Sequence, residues 1–434
     1  MPVAGTRRLC RMGLVAVLVT ALCILTLLDS PPARLPDPPT DPPPTPGGEP
    51  PGTRSIVAYS WARRLALDYR PTKQCDGNGT RGMALNAYKL PGTKWLETIP
   101  GQLFLYSAHL DLRIAGYPSI RVIGVKRGAL PSSALFCTIW CFPVGYSTLT
   151  FTLCIKGLDF DEDISHKLIA FVELHRILGA QFFYFYVFNV HENVLKVLRL
   201  YERSNVVRWF TLDLPGDLPN EKTARRRFFS EDIWTKRRME LIPYNHCFYE
   251  NIYRSEFVVP IDIDEAIVPT RRKTWHELLL DERAKLGRSF KDFASYSVRN
   301  AYFFLELQNR SQTDRLTGLD EKIRRSAEYT DYLDTMRTAS ISPEGDSVKS
   351  FVSTKRALTV HNHYALTTLN PSTIRAHHLD SNDVLKHHHR ACDSRHLDCD
   401  LLMEDVRIDE SALRYADELK TRMKIALADL DALP

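Results

Sequence analysis

The chain has 434 residues, 44% apolar and 25% charged, which are the proportions of an ordinary globular protein and enough for one large domain or two smaller ones. A formal net charge of +5 is mild over this length. The basic runs Arg225–Arg227, Lys236–Arg238 and Arg271–Lys273 come with no nucleic-acid motif, so no nucleic-acid partner is expected.

Arg7, Arg8 and Arg11 precede an uncharged apolar stretch from Gly13 to Leu28 that stops at Asp29. Counted from Leu9, about 20 residues are available, enough for one membrane-spanning helix. The positive flank predicts a cytoplasmic tail over residues 1–12 and a type II signal-anchor over 13–28, with everything beyond it lumenal. A cleaved signal peptide is the competing reading, but Ser30-Pro-Pro-Ala33 offers no convincing cleavage site. Proline dominates from Pro31 to Pro51, so residues 29–84 read as an extended stem. The sequons at Asn78 and Asn309 agree with a lumenal location.

Cys75, Cys137, Cys141, Cys154, Cys247, Cys392 and Cys399 lie beyond the anchor. In an oxidising lumen most would pair, and an odd number leaves one over. Cys137/Cys141 and Cys392/Cys399 are the nearest neighbours, the connectivity stays open, and no spacing suits a zinc site.

Strands are predicted at Leu103–Tyr106, Ser119–Val125 and Ala134–Trp140, giving a small β-rich subdomain over residues 85–150. The pattern then changes. A strand at Leu149–Ile155 leads into a helix at Ile164–Leu178, with Leu168, Phe171, Val172 and Leu178 at helical spacing and Gly179 as its stop. An aromatic strand at Gln181–Val190, an amphipathic helix at Asn193–Tyr201 and a strand at Val206–Leu212 follow. A long helix within Glu231–Tyr253 is expected to break near Pro243. The next strand, Glu256–Ile263, leads into the segment ending at Pro269. Alternating strands and helices predict a parallel sheet whose ligands sit beyond its carboxyl ends. The last helix, Ser411–Leu430, would pack on the domain or on a second copy, so a homodimer is a candidate assembly.

Asp262, Asp264 and Glu265 interrupt an apolar run, where charge must be compensated by a cation or by firm hydrogen bonds. On an extended backbone Asp262 and Asp264 would face one side, as oxygen donors for a hard divalent cation that could clamp a nucleotide diphosphate. Other Asp-x-Asp pairs, such as Asp159/Asp161, lack an apolar setting, and Asp159–Asp163 reads as a solvated acidic loop.

Several segments together resemble glycosyltransferase family 92: Leu105-Tyr-Ser-Ala-His-Leu-Asp-Leu-Arg113, Cys154-Ile-Lys-Gly157, Phe171–Ala180, Ile261-Asp-Ile-Asp-Glu265 with Val268-Pro269, Lys349-Ser-Phe-Val352 leading to His363, and His388-His389-Arg390. The resemblance spans roughly residues 100–400. His389 departs from the family's usual tyrosine, and His246 stands where an aspartate is common. The resemblance implies an α/β GT-A (Rossmann-like) catalytic domain over residues 151–390, a Cys-containing segment and helix over 391–434, and a Golgi membrane location. It also implies inverting, manganese-dependent transfer of a hexose, galactose from UDP-galactose, onto a glycan or glycoprotein acceptor such as the fucose of an N-glycan core.

In that frame Asp264 would bind the metal directly, while Asp262 would contact the metal, its water or the ribose. Glu265 would orient the pair or serve as a helix-start charge. His363 would be a third metal ligand, with His361 on the same strand side as a substitute. His388 and Arg390 would hold the diphosphate of the UDP-sugar donor; the run His387–His389 could equally be a surface turn. Glu306, after an aromatic strand, is the candidate general base. Glu173 reads as structural. A non-catalytic lumenal glycan-binding protein is the alternative.

Overall fold

The computed structural model describes residues 96–99, 103–111, 113, 119–126, 135–137, 149–308 and 330–432. The expected tail, anchor and stem, both sequons, Cys75 and Cys141 lie outside them. No helix among the described residues is long and apolar enough to cross a membrane. The chain divides into two compact units, Met1–Val144 with Pro215–Leu218, and Gly145–Leu214 with Pro219–Pro434.

In the first unit β1 (Leu96–Ile99), β2 (Leu103–Asp111), β3 (Ser119–Lys126) and β4 (Leu135–Cys137) form an antiparallel sheet in chain order. Asp111 ends β2 in a buried position, where it accepts from Arg113 at 2.7 Å and from Arg121 of β3 at 2.9 Å. Burial pushes its carboxyl up, but the two guanidinium groups outweigh this and hold it at about 2. The charged end of the Leu105–Arg113 segment thus ties β2 to β3.

The second unit begins with β5 (Phe151–Asp159), α1 (Ser165–Leu178), β6 (Phe182–Asn189), α2 (Glu192–Arg203) and β7 (Val207–Thr211). The three strands are parallel. Gly179, with φ +119°, closes α1 by donating to the carbonyls of His175 and Arg176, a backbone that a Cβ would strain. The aromatic run of β6 is buried sheet: Phe183, Tyr184, Phe185 and Tyr186 are all inside.

The long helix expected within Glu231–Tyr253 is two helices, α4 (Ile233–Met239) and α5 (Leu241–Asn251), broken at Glu240, and α3 (Lys222–Glu231) precedes them, ending at Asp232. Pro243 causes no break because it lies in the first turn of α5, where a missing N–H costs nothing.

β8 (Phe257–Pro260) returns to the free side of β5, parallel to it. β9 (Glu265–Pro269) and α6 (Trp275–Leu286) follow, α6 opened by a reciprocal Thr274/Glu277 cap. Then come β10 (Ser295–Val298), β11 (Asn300–Phe304), β12 (Met336–Thr338), β13 (Lys349–Ser353), the hairpin β14 (Ala357–Val360) and β15 (Ala365–Thr368), β16 (His377–His378) and β17 (Val384–Arg390). α7 (Cys399–Glu404), β18 (Val406–Ile408) and α8 (Ala416–Asp431) end the chain. The main sheet runs β16-β10-β13-β8-β5-β6-β7, mixed, with β13 antiparallel to both neighbours. β11-β17-β9 form a second sheet.

Phe151 centres the core, ringed by Phe257, Trp275 and Phe351 at 5.6–5.8 Å. α8 buries Leu419 and Met423 against this unit, and Glu173 accepts from Tyr201 at 2.9 Å with Arg422 of α8 at 3.6 Å, which is the structural role expected of it. Two disulfides form among the described residues, Cys154–Cys247 and Cys392–Cys399.

Candidate active site

β5 has β6 on one side and β8 on the other, so successive strands are added first in one direction and then in the other. Ligand crevices open beyond the carboxyl ends of strands at such a switch point. Cys154 of β5 pairs with Pro260 of β8, which brings Lys156 and Asp262 together just past the paired residues.

The acids do not ride on an extended strand as their alternation predicts. β8 stops at Pro260, and Asp262–Asp264 form a turn closed by the Glu265 N–H donating to the Asp262 carbonyl at 3.1 Å. Ile261 stays buried and Tyr332 donates to the Ile263 carbonyl, so the apolar pattern continues where the strand ladder has ended. The two aspartates consequently meet different partners.

Asp262 takes an ammonium on each oxygen, Lys156 at 3.0 Å and Lys349 of β13 at 3.0 Å. Burial pushes its carboxyl up, but the two lysines hold it well below the usual carboxylate range. Lys349 also reaches Glu265 at 3.1 Å and donates to Asn362, which accepts from Tyr244 at 2.9 Å. Glu265 is buried, takes Lys386 of β17 at 2.6 Å and accepts from the Asp262 N–H at 3.1 Å. Burial raises its carboxyl; Lys349 and Lys386 pull it down to about 2. The pairing with lysines, not a helix start, explains this residue. Lys156 also has Glu240, the residue after α4, at 3.7 Å.

Asp264 is partly exposed and stands 3.3 Å from Nε2 of His388, whose Nδ1 lies 3.8 Å from Glu265. Burial and the Lys386 charge hold this imidazole below its ordinary value, hence neutral at pH 7. The run His387–His389 is strand β17, not a surface turn, and His387 and His389 are buried in it. Arg390 ends β17 beside Phe304 and lies 3.7 Å from Asp393; none of these is a partner of the acid cluster.

His361 and His363 are not on a strand either: they occupy the turn between β14 and β15. His363 donates from Nδ1 to the Val348 carbonyl at 2.7 Å. Among the described residues no group of three or more His, Cys, Asp or Glu side chains gathers closely enough to hold a metal, so Asp262, Asp264 and His363 are not brought together as one ligand set. The pair that does meet is Asp264 and His388. Glu306 sits in a 3-10 turn after β11, exposed, and accepts from the Cys392 N–H at 3.0 and 3.2 Å. His246 is a core residue of α5, 2.5 Å from the Tyr186 hydroxyl.

Asp159 and Asp161 are not a free acidic loop. Arg225 and Arg226 bind Asp159 at 2.8 and 2.9 Å, and Arg226 and Lys222 bind Asp161 at 2.6 and 2.7 Å. This also accounts for the first basic run.

The residues of the acid cluster that the sequence pattern did not single out are Lys156, Lys349, Lys386 and Asn362. Lys156 follows the apolar run Phe151–Ile155 and so carries the signal that marks the acids, whereas Lys349 opens its strand and Lys386 precedes His387–Arg390, and neither stands out in the pattern. No curated protein matches the chain. Residues 150–427, well over half of it, match the family model described as Glycosyltransferase family 92, and the chain belongs to that family.

Proposed function

We propose that this glycosyltransferase moves a hexose, galactose from UDP-galactose, onto a glycan such as the fucose of an N-glycan core, with inversion and with a divalent cation such as Mn2+. The carrying observation is the charge cluster at the switch-point crevice. Three ammonium groups (Lys156, Lys349, Lys386) face four carboxylates (Asp262, Asp264, Glu265, Glu240), which leaves one negative charge beside a neutral His388. One carboxylate, Asp264, has no lysine partner among the described residues and stands partly exposed beside that neutral imidazole, a donor pair suited to manganese. A bound cation would supply charge stabilisation for the departing diphosphate. Asp264 and His388 would hold it; Lys156, the lysine that reaches solvent, would meet the phosphate oxygens.

The order of the sheet, with one antiparallel strand among parallel ones, supports the GT-A reading of the fold. His363, Arg390 and the base Glu306 remain proposals carried by the sequence. A type II anchor over residues 13–28 would place this unit in the Golgi lumen. The ion pairing of Asp262 with two lysines favours a second reading, a saccharide-binding protein without turnover.

Release of UDP from a panel of UDP-sugars by the full-length protein, with manganese and with or without fucosylated N-glycans, separates the two. Acceptor-dependent release from UDP-galactose, abolished by EDTA, is expected. Asp264→Asn should lower the rate roughly 100-fold or more with the unfolding midpoint unchanged, because Asp264 alone among these carboxylates has no lysine partner to orphan. Absence of release from every donor by a folded protein would leave the binding reading.

A further inference from the structure

The direction in which the Asp264 carboxylate points depends on the two peptide planes that meet at its Cα. The plane that follows, Asp264–Glu265, is held at both ends by main chain. Its N–H donates to the Asp262 carbonyl at 3.1 Å, and its carbonyl accepts from the His389 N–H at 2.8 Å. The plane that precedes, Ile263–Asp264, lies in the turn beyond the end of β8, and its carbonyl accepts from a side chain, the hydroxyl of Tyr332, 69 residues further on. Tyr332 is fully buried in a 3-10 turn, Asp331–Leu333. Asp331 ties that turn to α1 through the Lys167 ammonium at 2.5 Å. The Tyr332 ring packs edge-on against His389 at 5.5 Å, so it leans on the residue whose N–H holds the second plane. Asp262 and Glu265 are fixed by lysines at their carboxylates, whereas Asp264 has no lysine among the described residues and depends on its backbone.

We infer that Tyr332 is a positioning residue: through the Ile263 carbonyl it fixes the turn, so that the Asp264 carboxylate stands beside His388 before a cation arrives. The inference rests on the donor-site reading above, in which Asp264 and His388 hold the cation. A preset pair spares the cation the ordering of a loose turn. Partners that stand behind a ligand and orient it change metal affinity or activity roughly 10–100-fold when they are lost. The ring of Tyr332 serves packing, and a phenylalanine would fill the same space. The hydroxyl is the group that reaches the Ile263–Asp264 plane, and its removal frees that plane while the ring stays against His389.

The test titrates full-length wild type, Tyr332→Phe and Tyr415→Phe with Mn2+ alone, reading unbound Mn2+ by paramagnetic resonance. Tyr415→Phe is the control: it also deletes a buried tyrosine hydroxyl that donates to a carbonyl, that of Lys273 at 2.8 Å, which is no member of the acid cluster. Tyr332→Phe should raise the Kd for Mn2+ roughly tenfold or more, and Tyr415→Phe should leave it within about twofold. A Kd for Tyr332→Phe within about twofold of wild type, or equal rises in the two variants, overturns the inference. Hydrogen exchange of the segment 261–266, read without Mn2+, is the second arm. The Glu265 amide, which closes the turn, should exchange roughly tenfold faster in Tyr332→Phe than in wild type and at the wild-type rate in Tyr415→Phe. No difference overturns the inference, and so does unprotected exchange of that amide in the wild type, whatever the variants do. Should the wild type bind no Mn2+, the cation reading fails, and exchange alone decides whether Tyr332 places Asp264.

Discussion

Lys349 and Lys156 grip opposite oxygens of one carboxylate, yet their surroundings separate a structural role from a chemical one. The Lys349 side chain has 0% of its surface exposed and serves Asp262, Glu265 and Asn362 together; that of Lys156 is 33% exposed. Removing one partner of a buried pair strands the other, at a cost of roughly 3–5 kcal/mol, whereas a solvated pair is worth about 1 kcal/mol or less. Lys349→Met, which strands Asp262 and Glu265 together, should therefore lose roughly 3–5 kcal/mol in urea unfolding, and Lys156→Met distinctly less, because its ammonium is partly solvated and Asp262 keeps Lys349, with donor turnover impaired in both. Equal losses would sink the distinction. The sequence shows that the acids in Ile261-Asp-Ile-Asp-Glu265 need compensation, but not by what. Lys349 and Lys386 lie 87 and 121 positions away from the carboxylates they bind, and only the folded sheet brings them in.

At the scale of elements, the Cys154–Cys247 bridge fixes β5 to α5 two residues before Lys156 and across a separation of 93 residues. Cys392–Cys399 closes only seven. A long closed loop restrains the unfolded chain more than a short one, so replacing Cys154 and Cys247 by alanine should cost about 2–5 kcal/mol and the second pair distinctly less. Urea unfolding of the two double variants checks this; equal costs would refute it. Elements with one clear period were legible: the apolar stripe of α1 ends at Gly179, and the aromatic run of β6 is core. The end of β8 was not, because Ile261 keeps the apolar pattern going through a turn whose backbone has left the ladder. Pro243 misled for a related reason, since a proline breaks a helix only beyond its first turn. Two of the helix breaks fall instead at Asp232, which caps α4 by accepting from the Thr235 N–H at 2.9 Å, and at Glu240, which turns toward Lys156.

On the scale of the whole molecule, histidines buried in the neutral form set the response to acid. In the second unit burial lowers His175 to about 4, His363 to about 4 and His387 to about 3. His175 and His363 each donate from Nδ1 to a carbonyl, of Phe171 at 2.8 Å and of Val348 at 2.7 Å, a bond that favours the protonated ring but is outweighed by burial. In the unfolded chain these groups take up protons near 6.5, so the unfolded state binds protons first as pH falls. Their stabilising contribution is complete above about 6.5 and is lost progressively toward 4 and 3, at up to about 1.4 kcal/mol per pH unit for each. The urea midpoint should accordingly drop between pH 7 and pH 5, and His387→Phe, which keeps a ring against Phe303, should make the drop shallower by about one proton. Glu265 cannot produce a change in this range: its carboxyl is held at about 2 against an ordinary 4.5, so its contribution is intact until the pH falls below the ordinary value. A midpoint that is flat from pH 7 to pH 5 and falls only below about 4.5 would assign the acid response to the carboxylates and remove the histidines from it.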